Sequence, residues 1–307
     1  MSTRACYEQR KRRLARISEG RWLAAGLVCL ATLMLLASSP GARAQGPAID
    51  QAARAMLPDA TRKSGVLHVG LEVNFAPWMY QDGGKAEGID PDLIRGIAAK
   101  LGLKPEFTFV DFPSIIPGVQ SGRFDVGANF TNTAERRKVV SFVNYISFVG
   151  GMLVLKGNPH HVNVKDLCGL RVSSGVGSFQ QANEQKLSEE CVASGKRPIT
   201  IIPLAQAESL AALRADRVDA ADVNMAENVY LAGQPSSRDL EALDGAPPNA
   251  LKANKLGYIT SKDADGVALA RAMAAALNTM IRDGEYAAIL KKWKLPDEAA
   301  LPQAYAD

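Results

Sequence analysis

The sequence predicts an α/β protein of two lobes joined by two crossover strands, with a ligand cleft between the lobes. Three observations predict it. Strand patterns alternate with helix patterns from residue 66 to residue 131. The alternation restarts at residue 169 and runs to residue 233. A late strand and two helices, residues 255–293, are left over and are expected to return to the first lobe. The crossings then fall near Phe148–Gly151 and Asn249–Lys255. Two crossover strands make a hinge, and the space between hinged lobes is where a ligand belongs.

The chain opens with a basic stretch, an apolar run "WLAAGLVCLATLMLLASS" and a small-x-small site at Ala42-Arg43-Ala44. That order predicts a secretory signal peptide over residues 1–44, cleaved after Ala44. A retained membrane anchor is the other reading of the run. Residues 45–60 follow as a leader with one short helix, Ile49 to Leu57. The first lobe is expected over 61–149 plus 255–295, the second over 150–254, and a loose tail over 296–307.

"VLHVGL" (66–71) reads as a strand. "DPDLIRGIAAKLG" (90–102) reads as a helix with Asp90 as its cap and Pro91 in its first turn. Leu93, Ile94, Ile97 and Leu101 form its apolar face, and Gly102 stops it. "PEFTFV" and "FDVGAN" are strands on either side of a short helix in "PSIIPGVQSG". In the second lobe "GLRVSS", "ITIIPL" and "VDAADVN" are strands, each running into a helix. Residues 234–254, with Pro235, Pro247 and Pro248, read as loop-rich. "KLGYIT", the helix over 265–282 and "GEYAAILKKW" close the fold.

Of the 36 Lys/Arg and 32 Asp/Glu, eight and two fall in residues 1–44, which leaves 28 basic and 30 acidic residues beyond them. The basic balance therefore belongs to the export segment and gives no argument for nucleic acid or an anionic membrane as partner. Cys6 and Cys29 leave with that segment. Cys168 and Cys191 remain, at a spacing that suits neither a zinc site nor a CxxC redox motif. In an oxidising compartment a disulfide is the plain reading.

"TNTAERRKVVSF" places Arg136, Arg137 and Lys138 just after Thr133, which reads as a helix N-cap. Cations at a helix start oppose the backbone dipole. Either the run is a solvated surface, or an anion is meant to sit there.

These segments together resemble the periplasmic solute-binding proteins of amino-acid ABC transporters, the polar-amino-acid group known as bacterial extracellular solute-binding protein family 3. The resemblance covers about 61–295. It rests on "GVLHVGLEVNFAPWMY", "GIDPDLIRGIAAKLG", "IIPGVQSGRFDVGANFTNTAERRKVVSF", "LCGLRVSSGVGSFQQ", "LRADRVDAADVN" and "IRDGEYAAILKKW", in that order. It implies a periplasmic-binding-protein fold and an exported component that captures an amino acid or amino-acid-like carboxylate by hinge closure. Its partners would be the membrane permease subunits, with the protein itself a monomer and no cofactor or metal. The resemblance puts the ligand carboxylate on Arg136, with Thr131 and Asn129 beside it and Ser178 and Gln180 facing it across the cleft. Glu72 matches an acid that meets a side-chain cation. Phe75 and Phe112 match aromatics that sandwich an alkyl chain, with Trp78 as a further wall. Asn224 stands where the family usually has the aspartate that pairs with the ligand's α-ammonium, and Phe179 replaces a small hydroxyl residue. Either Glu72 or Asp222 supplies the missing charge, or the ligand is an opine or other modified amine.

Four rivals are weaker. "SSGVGSFQ" is half a dinucleotide fingerprint, with Gln180 at the third glycine position. His160-His161 reads as a solvated loop rather than a metal site. A cyclohexadienyl-dehydratase-like enzyme on the same fold is the alternative function, with Glu72 or Glu227 cast as its general acid. A membrane-bound sensor would need a spanning segment and a signalling domain, neither of which is expected here.

Overall fold

The computed structural model describes residues 48–307 except 149, 244, 246 and 249–253. The expected signal peptide, its cleavage point after Ala44, the start of the leader and parts of both expected crossings lie outside the described residues. No described helix is long and apolar enough to cross a membrane.

The chain begins with helices α1 (Gln51–Ala55) and α2 (Asp59–Ser64). Strand β1 (Val66–Glu72), the hairpin β2 (Tyr80–Asp82) and β3 (Lys85–Glu87), helix α3 (Ile89–Leu101) and β4 (Lys104–Val110) follow. Next come α4 (Ile115–Gln120), β5 (Val126–Thr131), the single turn α5 (Ala134–Arg137) and β6 (Ser141–Phe148). A second set contains β7 (Gly150–Leu155), β8 (Arg171–Ser174), α6 (Phe179–Ala193), β9 (Thr200–Pro203), α7 (Gln206–Arg214), β10 (Ala220–Asn224), α8 (Met225–Ala232) and β11 (Leu240–Leu243). The chain closes with β12 (Asn254–Thr260), α9 (Ala264–Arg282), α10 (Glu285–Lys292) and β13 (Ala300–Ala306).

Two sheets result. The first runs β13-β6-β12-β5-β1-β4, and the second runs β11-β7-β10-β8-β9. In each, a parallel βαβ core carries antiparallel strands on one side. The two lobes are built on these sheets. In the first lobe Leu93, Ile94 and Ile97 of α3 bury against Met273, Leu277 and Met280 of α9 on one sheet face. Ile115, Phe124, Phe130 and Phe142 fill the other. The second lobe packs Met152, Val172 and Leu187 on one face and Leu153, Leu213 and Val218 on the other. Cys168 and Cys191 are joined as a disulfide across 23 residues, tying the base of α6 to the loop before β8.

Three expectations need correction. Asp90 is not the cap of α3. Gly88 is, at φ +129°. A Cβ there would meet the Trp78 carbonyl oxygen at 2.3 Å, so the close approach of two backbones requires glycine and sets the helix start. Asp90 falls inside the first turn and is fully buried. The leader forms two helices rather than one, and Asp50 ties it down by accepting from Thr279 Oγ1 at 2.6 Å while its amide donates to Lys100 O at 2.8 Å. The tail is not loose. Its strand β13 pairs with β6, and the Asp307 and Phe142 backbones exchange two 3.0 Å hydrogen bonds. Leu301 and Ala304 are buried, and the Leu301 amide donates to Tyr286 Oη at 3.1 Å. The segment lacks a clean apolar period, so only its tertiary partners give it order. Residues 234–254 also contain a short strand, β11, on the edge of the second sheet.

Truncation after Ala299 is expected to cost at least about 3 kcal/mol, from the lost burial of Leu301 and the lost ladder bonds. A lower urea midpoint by circular dichroism is the expected signal. An unchanged midpoint would show that β13 contributes nothing.

Candidate functional site

The carboxyl ends of four strands converge on one cleft of about 730 Å³. Strands β1 and β5 bring Glu72 and Thr131 from the first lobe, and β8 and β10 bring Ser174 and Asn224 from the second. Ligands in open α/β sheets sit outside such strand ends. All nine residues expected at a ligand line this cleft: Glu72, Phe75, Phe112, Asn129, Thr131, Arg136, Ser178, Gln180 and Asn224. Phe179 lines it too. Trp78 does not, because it is buried in the first lobe's core.

Arg136 is held at the cleft by its own loop. Thr133 Oγ1 accepts from the Arg136 amide at 3.2 Å, so Thr133 is the N-cap that the sequence predicts. The helix it caps has only four residues, too few for a strong dipole. The case for an anion rests instead on the guanidinium. It lies 5.6 Å from the Phe112 ring centre and 5.2 Å from that of Phe130, and these two rings stack on each other. Its Nη1 donates to Thr131 O at 3.1 Å and its Nη2 to Gly177 O of the other lobe at 3.2 Å. No carboxylate pairs with it among the described residues. Desolvation lowers it to about 10, which leaves it charged near neutrality. Arg137 and Lys138 are surface cations that bond Asn132 and Glu135.

Opposite Arg136, Ser178 caps α6 by accepting from the Gln181 amide at 3.1 Å. Its hydroxyl is thereby engaged. The amides of Phe179 and Gln180 bond no other described residue and stand at the helix start, which lines the cleft.

Asn129 has a left-handed backbone, φ +65°. Its Nδ2 donates to Asp90 Oδ2 at 3.0 Å and lies 3.3 Å from Tyr145 Oη. Burial raises Asp90 to about 7. Asp90 therefore works behind the cleft, a role its cap-like sequence setting concealed.

Asn224 is the cap of α8. Its Oδ1 accepts from the Glu227 amide at 3.0 Å, and its own amide donates to Glu227 Oε2 at 3.0 Å. Asn224 Nδ2 also bonds Glu227 Oε2. Glu227 Oε1 accepts from Gln206 Nε2 at 2.6 Å, and the same Nε2 reaches Ala76 O of the first lobe at 2.8 Å. Gln206 thus bridges the lobes, and nothing in its local sequence signals that.

The cleft is rich in acids. Burial, with Glu227 and Asp111 nearby, raises Glu72 to about 8. Burial raises Glu227 to about 7. Burial, with Glu184 and Glu227 nearby, pushes Asp222 well above the usual carboxylate range. Three carboxyls line a space that contains one guanidinium.

Elsewhere His160 stands 2.9 Å from Asp216 and 3.4 Å from Asp219. These three side chains could hold a metal by spacing alone. Arg171 already bonds both carboxylates, at 2.8 and 2.6 Å, so the group forms an ion-pair network.

Residues 67–296 match the family model of bacterial extracellular solute-binding proteins, family 3. An arginine-binding protein of Corynebacterium glutamicum is 29% identical over 255 residues, covering 82% of this chain and 81% of its own. An arginine-binding extracellular protein of Bacillus subtilis is 30% identical over 230 residues, covering 74% and 85%. Among solved structures, an ancestral arginine-binding protein bound to glutamine superposes with a TM-score of 0.64 at 33% identity, over 75% of this chain and 97% of that one. An ancestral amino-acid-binding protein described as a precursor of cyclohexadienyl dehydratase gives a TM-score of 0.66 at 26% identity, over 76% and 98%. With the hinge-type topology, the strand-end cleft and a match over most of its length, this chain belongs to family 3 of the bacterial extracellular solute-binding proteins.

Proposed function

We propose that this protein is the exported capture component of an amino-acid ABC importer, and that its cleft takes an α-amino acid with a cationic side chain. The carrying observation is charge balance. One unpaired guanidinium, Arg136, faces a cleft that also holds Glu72, Asp222 and Glu227. Glu227 already accepts from Asn224 and Gln206, so Glu72 and Asp222 remain for ligand cations. A ligand with one carboxylate and two cations matches that set, whereas a neutral amino acid leaves one of the two acids unmatched. The relatives named for arginine binding support the same reading.

Arg136 grips the α-carboxylate as a bidentate pair, which is strong and oriented. The free amides of Phe179 and Gln180 meet the same carboxylate from the second lobe, so the ligand favours the closed form. Phe75 and Phe112 flank the alkyl stem, and Glu72 takes the side-chain cation. The signal peptide, cleaved after Ala44, delivers a monomer to the periplasm, where the permease subunits are its partners.

Thermal unfolding against a panel of amino acids tests the class. A ligand at 100 times its dissociation constant adds about 2.7 kcal/mol of stability. L-arginine, L-lysine or L-ornithine is expected to raise the melting temperature well above L-glutamine or L-citrulline. Equal response to neutral and cationic amino acids would overturn the cationic assignment. Arg136→Ala is expected to cost about 2–5 kcal/mol of binding with normal circular dichroism. Affinity within threefold of wild type would remove the carboxylate role.

The acids make a second prediction. Glu72 and Glu227 titrate higher in the folded protein than in the unfolded chain, where a glutamate sits near about 4.3. Between those values the empty folded protein holds protons that the unfolded chain has lost. Their stabilising contribution is full below about pH 4 and is lost as pH rises through about 7 to 8. The melting temperature of the ligand-free protein is expected to fall between about pH 5 and pH 8, and Glu72→Gln should flatten the fall. A flat wild-type profile would refute this picture of the cleft.

An acid kept protonated near neutrality also suits a general acid. Incubation with prephenate or arogenate separates the readings: a capture protein returns both unchanged, and turnover assigns the enzyme.

A further inference from the structure

The ligand's α-ammonium has no obvious seat. Asn224 spends its side chain on the α8 cap, and Glu227 already receives the Asn224 amide, Asn224 Nδ2 and Gln206. Glu72 stands on the first-lobe sheet, and its charged neighbours are Glu227 and Asp111.

Asp222 differs from all of these. It is only 4% exposed, it lines the cleft, and neither of its carboxyl oxygens meets a donor among the described residues. An unpartnered buried carboxyl is costly, so native proteins rarely keep one without a function. Behind it Glu184 is fully buried, accepts from Ser174 Oγ at 2.7 Å through one oxygen, and leaves Oε1 without a donor. Three acceptor oxygens thus share one corner of the second lobe with nothing to accept.

Position decides what belongs there. Strand β10 runs parallel to β8, with Ala221 opposite Ser173. Asp222 therefore stands one strand over from Ser174, the last residue before the turn that starts α6. That turn carries Gly177, whose carbonyl Arg136 reaches, and leads to the free amides of Phe179 and Gln180. The carboxylate seat and Asp222 are thus neighbours. In an α-amino acid the carboxylate and the ammonium share one carbon, so their seats must adjoin. A primary ammonium brings three donors to a corner that lacks donors.

We propose that Asp222, backed by Glu184, is the seat of the ligand's primary α-ammonium and so selects a free α-amino group over an opine or another modified amine. The proposal rests on the reading of the cleft as an amino-acid site, with Glu72 left for the side-chain cation.

The test is calorimetry on the full mature protein with three probes: L-arginine, 5-guanidinopentanoate, which lacks the α-amino group, and L-citrulline, which lacks the side-chain cation. Wild type is expected to prefer arginine over 5-guanidinopentanoate by at least about 100-fold, the scale of a charged pair in a closed site. Asp222→Asn is expected to reduce that preference to about fivefold or less while the preference over citrulline changes by less than about threefold. Glu72→Gln should do the reverse. Wild type that binds arginine and 5-guanidinopentanoate alike overturns the proposal without any variant. Asp222→Asn that keeps the α-amino preference also overturns it, and leaves the cationic-ligand reading standing. Wild type with no preference over citrulline sinks that reading alone. Wild type that binds none of the three sinks both. Should Asp222→Asn fail to fold, Asp222→Ser is read in the same way.

Discussion

The architecture of the cleft depends on keeping one guanidinium charged, desolvated and free of any carboxylate. Arg136 lies beside two stacked aromatic rings and donates only to backbone carbonyls. A carbonyl satisfies a donor without neutralising the charge. The surroundings follow from that. Thr133 fixes the turn that carries the residue. Phe130 is buried under it, and Phe112 lies on a short 3-10 turn above. The acids of the cleft are buried and crowd one another: burial raises Glu72 and Asp222, and repulsion from Glu227 on the first and from Glu184 and Glu227 on the second adds to it. The cleft is polarised, with a cationic corner at Arg136 and an acidic corner at Asp222 and Glu227.

The two lobes contribute unequal kinds of rigidity. On the first lobe the cleft-lining Asn129 is locked by Asp90 and Tyr145, with Tyr145 stacked on Tyr258, the rings nearly parallel and 4.1 Å apart. This polar network is buried and directional, so it specifies one geometry. On the second lobe the fixed points are helix starts, with Ser178 capping α6 and Asn224 capping α8. Gln206 joins the halves through Ala76 O and Glu227. Across the cleft, a buried polar network on one lobe thus faces two capped helix starts on the other.

Much of this was legible in the sequence because it is local. The Thr133 cap, the left-handed Gly102 stop and the apolar face of α3 each depend on neighbours within a few residues. The nine residues named for the cleft come from the resemblance to family 3 rather than from any local pattern, and the fold brings all nine to one place. What could not be read depends on distant partners. Asp90 precedes a proline and an apolar face, as a cap does, but the Trp78 carbonyl near Gly88 sets the helix start. Gln206 matters through Ala76 and Glu227, both distant in sequence. Glu184 looks like any polar residue of a surface helix, whose apolar periodicity is weak, yet it is fully buried beneath Asp222. Strand β13 has mixed composition, and its order comes from β6 and Tyr286.

That last strand also governs how the molecule meets copies of itself. The two edges of the first sheet are protected differently. At one end β4 begins Lys104-Pro105-Glu106, where two charges and a ring without an amide proton discourage a foreign strand. At the other end β6 reads "SFVNYISF", with no charge and no proline. Left bare, it would offer an eight-residue uncharged template, rich in aromatic and β-branched residues, to any extended chain. Strand β13 occupies that template and presents Pro302 and Gln303 in its place. Residues 300–306 are therefore a built-in guard against intermolecular strand addition, and a protease that nicked them would release aggregation before it abolished folding.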